Sequence, residues 1–277
     1  MIRDIIVKLE ADSTRNQAQT YAIGLAETFD AHLVGIAFSD YSPLPAYAMP
    51  SMPPDILAGI MAENEKVVDA SVANFEAAAK RSLLSYEHRV ITDFDTGPAN
   101  AMARLARRFD LSVLLQSGEG LQNNDLAIEA ALFGSGRPVM VVPYIDRDGV
   151  KLDTVLCCWD GSRAAARAIN DAMPFLKKAN SVEILIVVTD KVKGAQEEIR
   201  GVEIAEHLAR HDVKVKLQAL PAADIGAGDF ILSYASDAAA DLIVMGGYGH
   251  SRFREFVLGG VTRTVLETMT VPVLLSH

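Results

Sequence analysis

The chain has 277 residues, half of them hydrophobic, a formal charge of −10 at pH 7 and two cysteines. It is longer than one typical domain of about 100–150 residues, and its apolar content excludes global disorder. The acidic balance excludes a non-specific nucleic-acid binder, which needs a basic stripe to meet the phosphates.

No run approaches the ~18 apolar residues of a membrane span. The opening MIRDIIVKLEAD has no apolar core of signal-peptide length. No membrane partner and a cytoplasmic location are therefore expected. Residues 5–9 predict a strand, residues 15–29 carry apolar positions at helical spacing, and residues 32–38 predict a second, buried strand. Strand, helix, strand is the opening of a doubly wound unit. Residues 39–54 then bring Pro43, Pro45, Pro50, Pro53 and Pro54 among Tyr41, Tyr47, Met49 and Met52, which excludes a helix or a central strand. A long loop is expected there, either a functional flap or partner surface, or an insertion packed on its own domain.

A long alanine-rich helix is predicted over 56–84, a strand over 86–90, a helix from Gly97 to Phe109, a strand over 111–115, a helix over 125–133 and a fifth strand over 139–142. The turn-rich residues 143–150, PYIDRDGV, are the best candidate linker. The pattern then restarts with strands at 154–159, 182–188 and 213–219, separated by helices at 163–178 and 195–210. Residues 225–277 supply a further helix, a strand, a glycine-rich loop, a helix and a last strand.

The halves form an internal repeat. RDIIVKL lies on LDTVLCC, and GRPVMVVP on TVPVLLSH around Pro138 and Pro272. The expected architecture is α/β, two tandem five-stranded parallel domains over about 1–145 and 150–277. The first carries the 39–54 insertion.

The adjacent Cys157 and Cys158 sit on one strand and point to opposite faces, so a disulfide between them and a metal site are not expected. His207 and His211, four apart on a helix, have ligand spacing but no third ligand with sensible spacing beside them. No catalytic triad or carboxylate pair stands out.

The strongest chemical signal is the run LIVMGGYGHSRFREFVLGGV. A short apolar strand empties into Gly246, Gly247 and Gly249, and a helix follows Gly259 and Gly260. Glycines there let backbone amides curl around an anion, with a helix N-terminus adding partial positive charge. The bland reading is that the chain simply has to turn. His250, Ser251 and Arg252 lie inside the loop; the amides of Gly249 and Ser251 and the Arg252 side chain could meet a triphosphate, or the arginine could be merely solvated. Asp160 ends a strand on the same edge. It could accept ribose hydroxyls or hold a metal near phosphate, or cap the next helix in competition with Ser162.

Each half resembles the universal stress protein domain, and the whole is similar to a tandem member of that family. The nucleotide signature of the family, glycine, two residues, glycine, nine residues, glycine and a hydroxyl residue, stands here as Gly246, Gly249, Gly259 and Gly260. Gly260 departs from the hydroxyl, and Thr262 lies two residues beyond it, after Val261. The resemblance implies strand order 3-2-1-4-5 in each half and pairing of the halves through their last strands as an intramolecular pseudo-dimer. It further implies an adenine nucleotide, ATP with magnesium, near Asp160, with Val188 packing on adenine. In the first half Ala11 is expected in the place of Asp160, and Asp125 and Leu126 near Gly259 and Gly260, so that half is expected to lack the phosphate site. A switch with at most slow hydrolysis is expected, because no P-loop lysine followed by Ser or Thr ends the glycine loop. The alternative is an interaction scaffold that binds no nucleotide and uses the 39–54 loop. Whole chains could pair further as a homodimer, and a protein partner is left unidentified.

Overall fold

The structure is a computed structural model that describes residues 1–12, 15–39, 53–92, 97–118, 124–146, 149–188, 194–222, 225–247 and 260–277. In the first half the order is β1 (Asp4–Lys8), α1 (Gln17–Phe29), β2 (His32–Phe38), α2 (Pro54–Arg81), β3 (Tyr86–Ile91), α3 (Gly97–Ala106), β4 (Leu111–Leu115), α4 (Asp125–Gly134) and β5 (Val139–Val142). The second half follows as β6 (Thr154–Cys158), α5 (Arg163–Asp171), α6 (Met173–Leu176), β7 (Ser181–Val188), α7 (Gly194–Ala209), β8 (Val215–Pro221), α8 (Ala227–Asp237), β9 (Leu242–Gly246), α9 (Gly260–Thr268) and β10 (Val273–Ser276).

These strands form one sheet in the order β3-β2-β1-β4-β5-β10-β9-β6-β7-β8. Each half therefore has the order 3-2-1-4-5, with parallel pairing inside it. The halves join where β5 and β10 run antiparallel, Val141 opposite Val273, Met140 opposite Leu274 and Val139 opposite Leu275. That junction hides two edges that would otherwise offer unpaired amides and carbonyls to another chain. The remaining edges are blunted: β3 carries Glu87, His88 and Arg89, and β8 ends on Pro221.

Parallel strands covered on both faces read as continuous apolar runs, and that is how β4 and β5 read. Alternate residues feed two cores. Ile5, Val7, Leu111 and Val113 join the layer of α1, α2, α5 and α6, whereas Ile6, Leu114, Val139 and Val141 join that of α3, α4, α8 and α9. Each fully buried Leu, Ile or Val contributes about 1.5–3 kcal/mol relative to exposure.

The helix expected over 163–178 is divided. Pro174, in the first turn of α6, has no N–H to continue a ladder, and the chain bends at Ala172. The strand expected from Val213 begins at Val215 instead, because Asp212 adopts a left-handed conformation (φ 64°) and Val213 N–H closes α7 by donating to Leu208 O at 3.1 Å. Residues 40–52 of the proline-rich stretch lie outside the described residues; Pro53 and Pro54 lead into α2, with Pro54 in its first turn. Cys157 and Cys158 do face opposite cores. Burial pushes both thiols up, Cys158 to about 12 with help from the nearby Asp160 charge, so neither forms a ready thiolate at neutral pH. Among the described residues no helix is long and apolar enough to cross a membrane.

Candidate functional site

The carboxyl ends of β6 and β9 bound a crevice at a topological switch point, the place where open α/β sheets hold ligands. Trp159 N–H extends the β6 ladder to Leu185 O at 2.9 Å, and Asp160 leaves the sheet directly after it. One Asp160 oxygen accepts from Ser162 N–H at 2.9 Å, and Ser162 Oγ accepts from Ala165 N–H at 3.1 Å. Ser162 is thus the cap of α5, and Asp160 shapes the turn before it. Gly161, at φ 74°, takes the left-handed step between them. Asp160 is exposed, and its second oxygen has no protein partner among the described residues.

Gly246 ends β9. A Cβ there would lie 2.5 Å from Ala165 N and 2.7 Å from Ala164 C, so only glycine lets the capped start of α5 come down on the strand end. Gly260 opens α9 and is different: among the described residues nothing lies within 4 Å of a Cβ added there. Val261 is exposed, whereas Thr262, in the first turn of the helix, is buried at 3 %. Val188 ends β7, half-buried against the α5 side of the sheet, and its carbonyl accepts from Ala222 N–H at 3.1 Å. The structure therefore brings Asp160, Gly246, Val188 and the start of α9 to the carboxyl-end edge of one half-sheet. Gly249, His250, Ser251, Arg252 and Gly259 lie outside the described residues.

The first half places different residues at the equivalent edge. Asp110 N–H donates to Asp4 O at 2.9 Å just as Asp241 N–H donates to Thr154 O at 2.8 Å, which aligns Asp4 with Thr154. Leu9 N–H donates to Ile36 O as Trp159 N–H does to Leu185 O. Glu10, not Ala11, therefore stands where Asp160 stands in the second half. The expected alignment of RDIIVKL on LDTVLCC is one residue out.

Glu10 is buried, and Lys8 Nζ lies 3.0 and 3.1 Å from its two oxygens. Asn124 Nδ2 donates to Glu10 Oε1 and to Leu115 O, both at 3.1 Å. Leu115, the counterpart of Gly246, is 1 % exposed. The connection from β1 to α1, residues 9–16, is also longer than that from β6 to α5, residues 159–162. A buried pair with its remaining valence met by an amide closes this crevice. Lys8 and Asn124 were not foreseen as part of it; a lysine two residues before a glutamate at the end of an apolar strand was the signal available.

His207 and His211 meet edge to face, with ring centroids 4.8 Å apart. No group of three or more His, Cys, Asp or Glu side chains able to hold a metal occurs among the described residues.

The family model described as the universal stress protein family matches residues 151–277. A universal stress protein from Synechocystis sp. is 28% identical over 172 residues, which cover 60% of this chain and 57% of that relative. The chain thus matches little more than half the length of that protein. Among solved structures, a universal stress protein from Archaeoglobus fulgidus superposes with a TM-score of 0.70 at 19% identity, covering 99% of this chain and 96% of the other. A functionally unknown protein from Pseudomonas aeruginosa PAO1 gives 0.63 at 15% identity, covering 99% and 92%. At those identities the structural likeness is one of fold. The segment from β6 to β10 thus matches the universal stress protein family, and the half that precedes it repeats the same fold.

Proposed function

We propose that this protein binds one adenine nucleotide, ATP with magnesium, in its second half and acts in the cytoplasm as a nucleotide-responsive regulator of the stress response rather than as an efficient catalyst. The observation that carries this reading is the asymmetry of the two crevices. In the first, Lys8, Glu10, Asn124 and Leu115 occupy the space with protein groups. In the second, the aligned Asp160 keeps an oxygen without a partner among the described residues, and none of those residues fills the space beside Gly260.

The donor set fits the group. Asp160 would accept the ribose hydroxyls, Val188 would line the base, and the first amides of α9 with the glycine loop would face the phosphates. Magnesium would be shared between phosphate oxygens and at most one carboxylate, in keeping with how that ion is usually held. ATP bound in this way would act through occupancy.

Calorimetric titration of the full chain with MgATP tests it. One site per chain is expected, lost in the Gly249→Ala/Gly259→Ala double variant. Absence of binding at millimolar MgATP, or equal binding by the double variant, would sink the reading.

A further inference from the structure

We propose that Gln116, which belongs to the first half, is a positioning residue for the nucleotide phosphates of the second half and acts through α9. The inference rests on the nucleotide reading above.

Gln116 follows β4, continues its ladder through N–H to Val142 O at 2.8 Å, and is 1 % exposed. Its side chain crosses the junction between the halves. Nε2 donates to Leu266 O at 2.8 Å and to Glu267 O at 3.3 Å, and Oε1 accepts from Tyr144 N–H at 3.3 Å. Both donor and acceptor ends of a buried amide are therefore occupied, and the rotamer is set from both sides.

The two carbonyls belong to the last turn of α9, where an α-helix leaves its final four carbonyls without intrahelical partners. Gln116 thus caps α9 from another domain. A helix of this length is marginal on its own, since helices under about 12–15 residues gain little from local bonds. It runs from Gly260, at the glycine loop, to the junction. Holding its far end sets where its first amides lie, and those amides face the phosphates in the proposed site.

The pseudo-symmetric arrangement is not reproduced. Gly247 stands in the second half where Gln116 stands in the first, as its N–H to Ser276 O at 2.8 Å shows beside Gln116 N–H to Val142 O. A Cβ at Gly247 would lie 2.6 Å from Leu132 Cδ2 of α4. So α4, whose domain has the closed crevice, receives no amide from across the junction at this position. The amide goes to the helix beside the open crevice.

The test compares two ligands on the full chain, MgATP and adenosine, in wild type, Gln116→Leu and Gln116→Glu. Glutamate keeps the size and the acceptor for Tyr144 N–H but cannot donate, when ionised, to α9. Loss of a positioning role weakens MgATP by about five- to tenfold in both variants, the worth of one or two net hydrogen bonds, and leaves adenosine within about twofold. Equal weakening of both ligands, or of neither, overturns the proposal while leaving the nucleotide reading standing. Hydrogen exchange of ligand-free protein supplies a readout independent of nucleotide. Faster exchange over Gly260–Thr268 in Gln116→Leu is expected, and unchanged exchange there overturns the proposal even if wild type binds no ATP.

Discussion

Glu10 and Asp160 end equivalent strands of the two halves, and their surroundings are opposite. Glu10 is held between Lys8 and Asn124, while Asp160 gives one oxygen to a turn and has no partner for the other among the described residues. A carboxylate at the same position therefore serves as internal structure in one half and as an available acceptor in the other.

Replacing the two acids separates these roles. Asp160→Ala is expected to weaken MgATP by about tenfold, the worth of a good hydrogen bond to a charged group, and to lower stability by less than about 1 kcal/mol. Titration and thermal melting of the same samples give both quantities. If Asp160→Ala binds like wild type, the acceptor role is wrong.

Lys8→Ala should do the reverse. It leaves Glu10 buried without its counter-charge, at a cost of about 3–5 kcal/mol, whereas the joint change Lys8→Met with Glu10→Leu should be less destabilising than Lys8→Ala alone. Urea denaturation of the three chains measures this. MgATP stoichiometry stays at one in the joint variant, because Leu115 still fills the place of Gly246.

Gly260→Ser should tighten MgATP by about three- to tenfold. Among the described residues nothing blocks a side chain at this position, and a serine hydroxyl in the first turn of α9 can donate to a phosphate oxygen. A titration showing unchanged or weaker affinity contradicts this placement of the phosphates.

Glu129 on α4 is buried, and burial first, then the neighbouring Asp125 charge, raises its carboxyl pKa. With the folded value above the unfolded one, the native state holds the proton more tightly, so this group's contribution to stability is fully present below the unfolded pKa and is lost as pH rises through the folded value. Glu129→Gln is accordingly expected to raise Tm by about 1–3 °C at pH 7, with the gain shrinking as pH falls into the carboxylate range. Melting curves at pH 7 and pH 4 check the sign.

Much of this fold was legible because buried parallel strands announce themselves. Residues 32–38, 111–115 and 139–142 are strands over the ranges expected, and the repeat around Pro138 and Pro272 marked the last strand of each half, whose pairing the family resemblance implied. The register of β1 on β6 was not legible for the same reason. Runs such as IIVK and VLCC are apolar on both faces, so no alternation marks a slip of one residue, and that slip put Ala11 where Glu10 belongs. Pro174 was a local sign of a broken helix, outweighed by the apolar spacing around it. Gln116 reaching Leu266 spans 150 positions, and no pattern in the sequence marks a contact of that range.

The pairing of β5 with β10 also decides what kind of equilibrium the protein can enter. Two separate subunits joined through their last strands could trade partners, and a population would then hold pairs with two competent halves, one or none. Here both strands belong to a single polypeptide, so every molecule carries the same mixed pair and no exchange can alter it. Under the proposed function, saturation is hyperbolic and set by one dissociation constant. On that reading the response would follow the amounts of protein and nucleotide, not the composition of the pair.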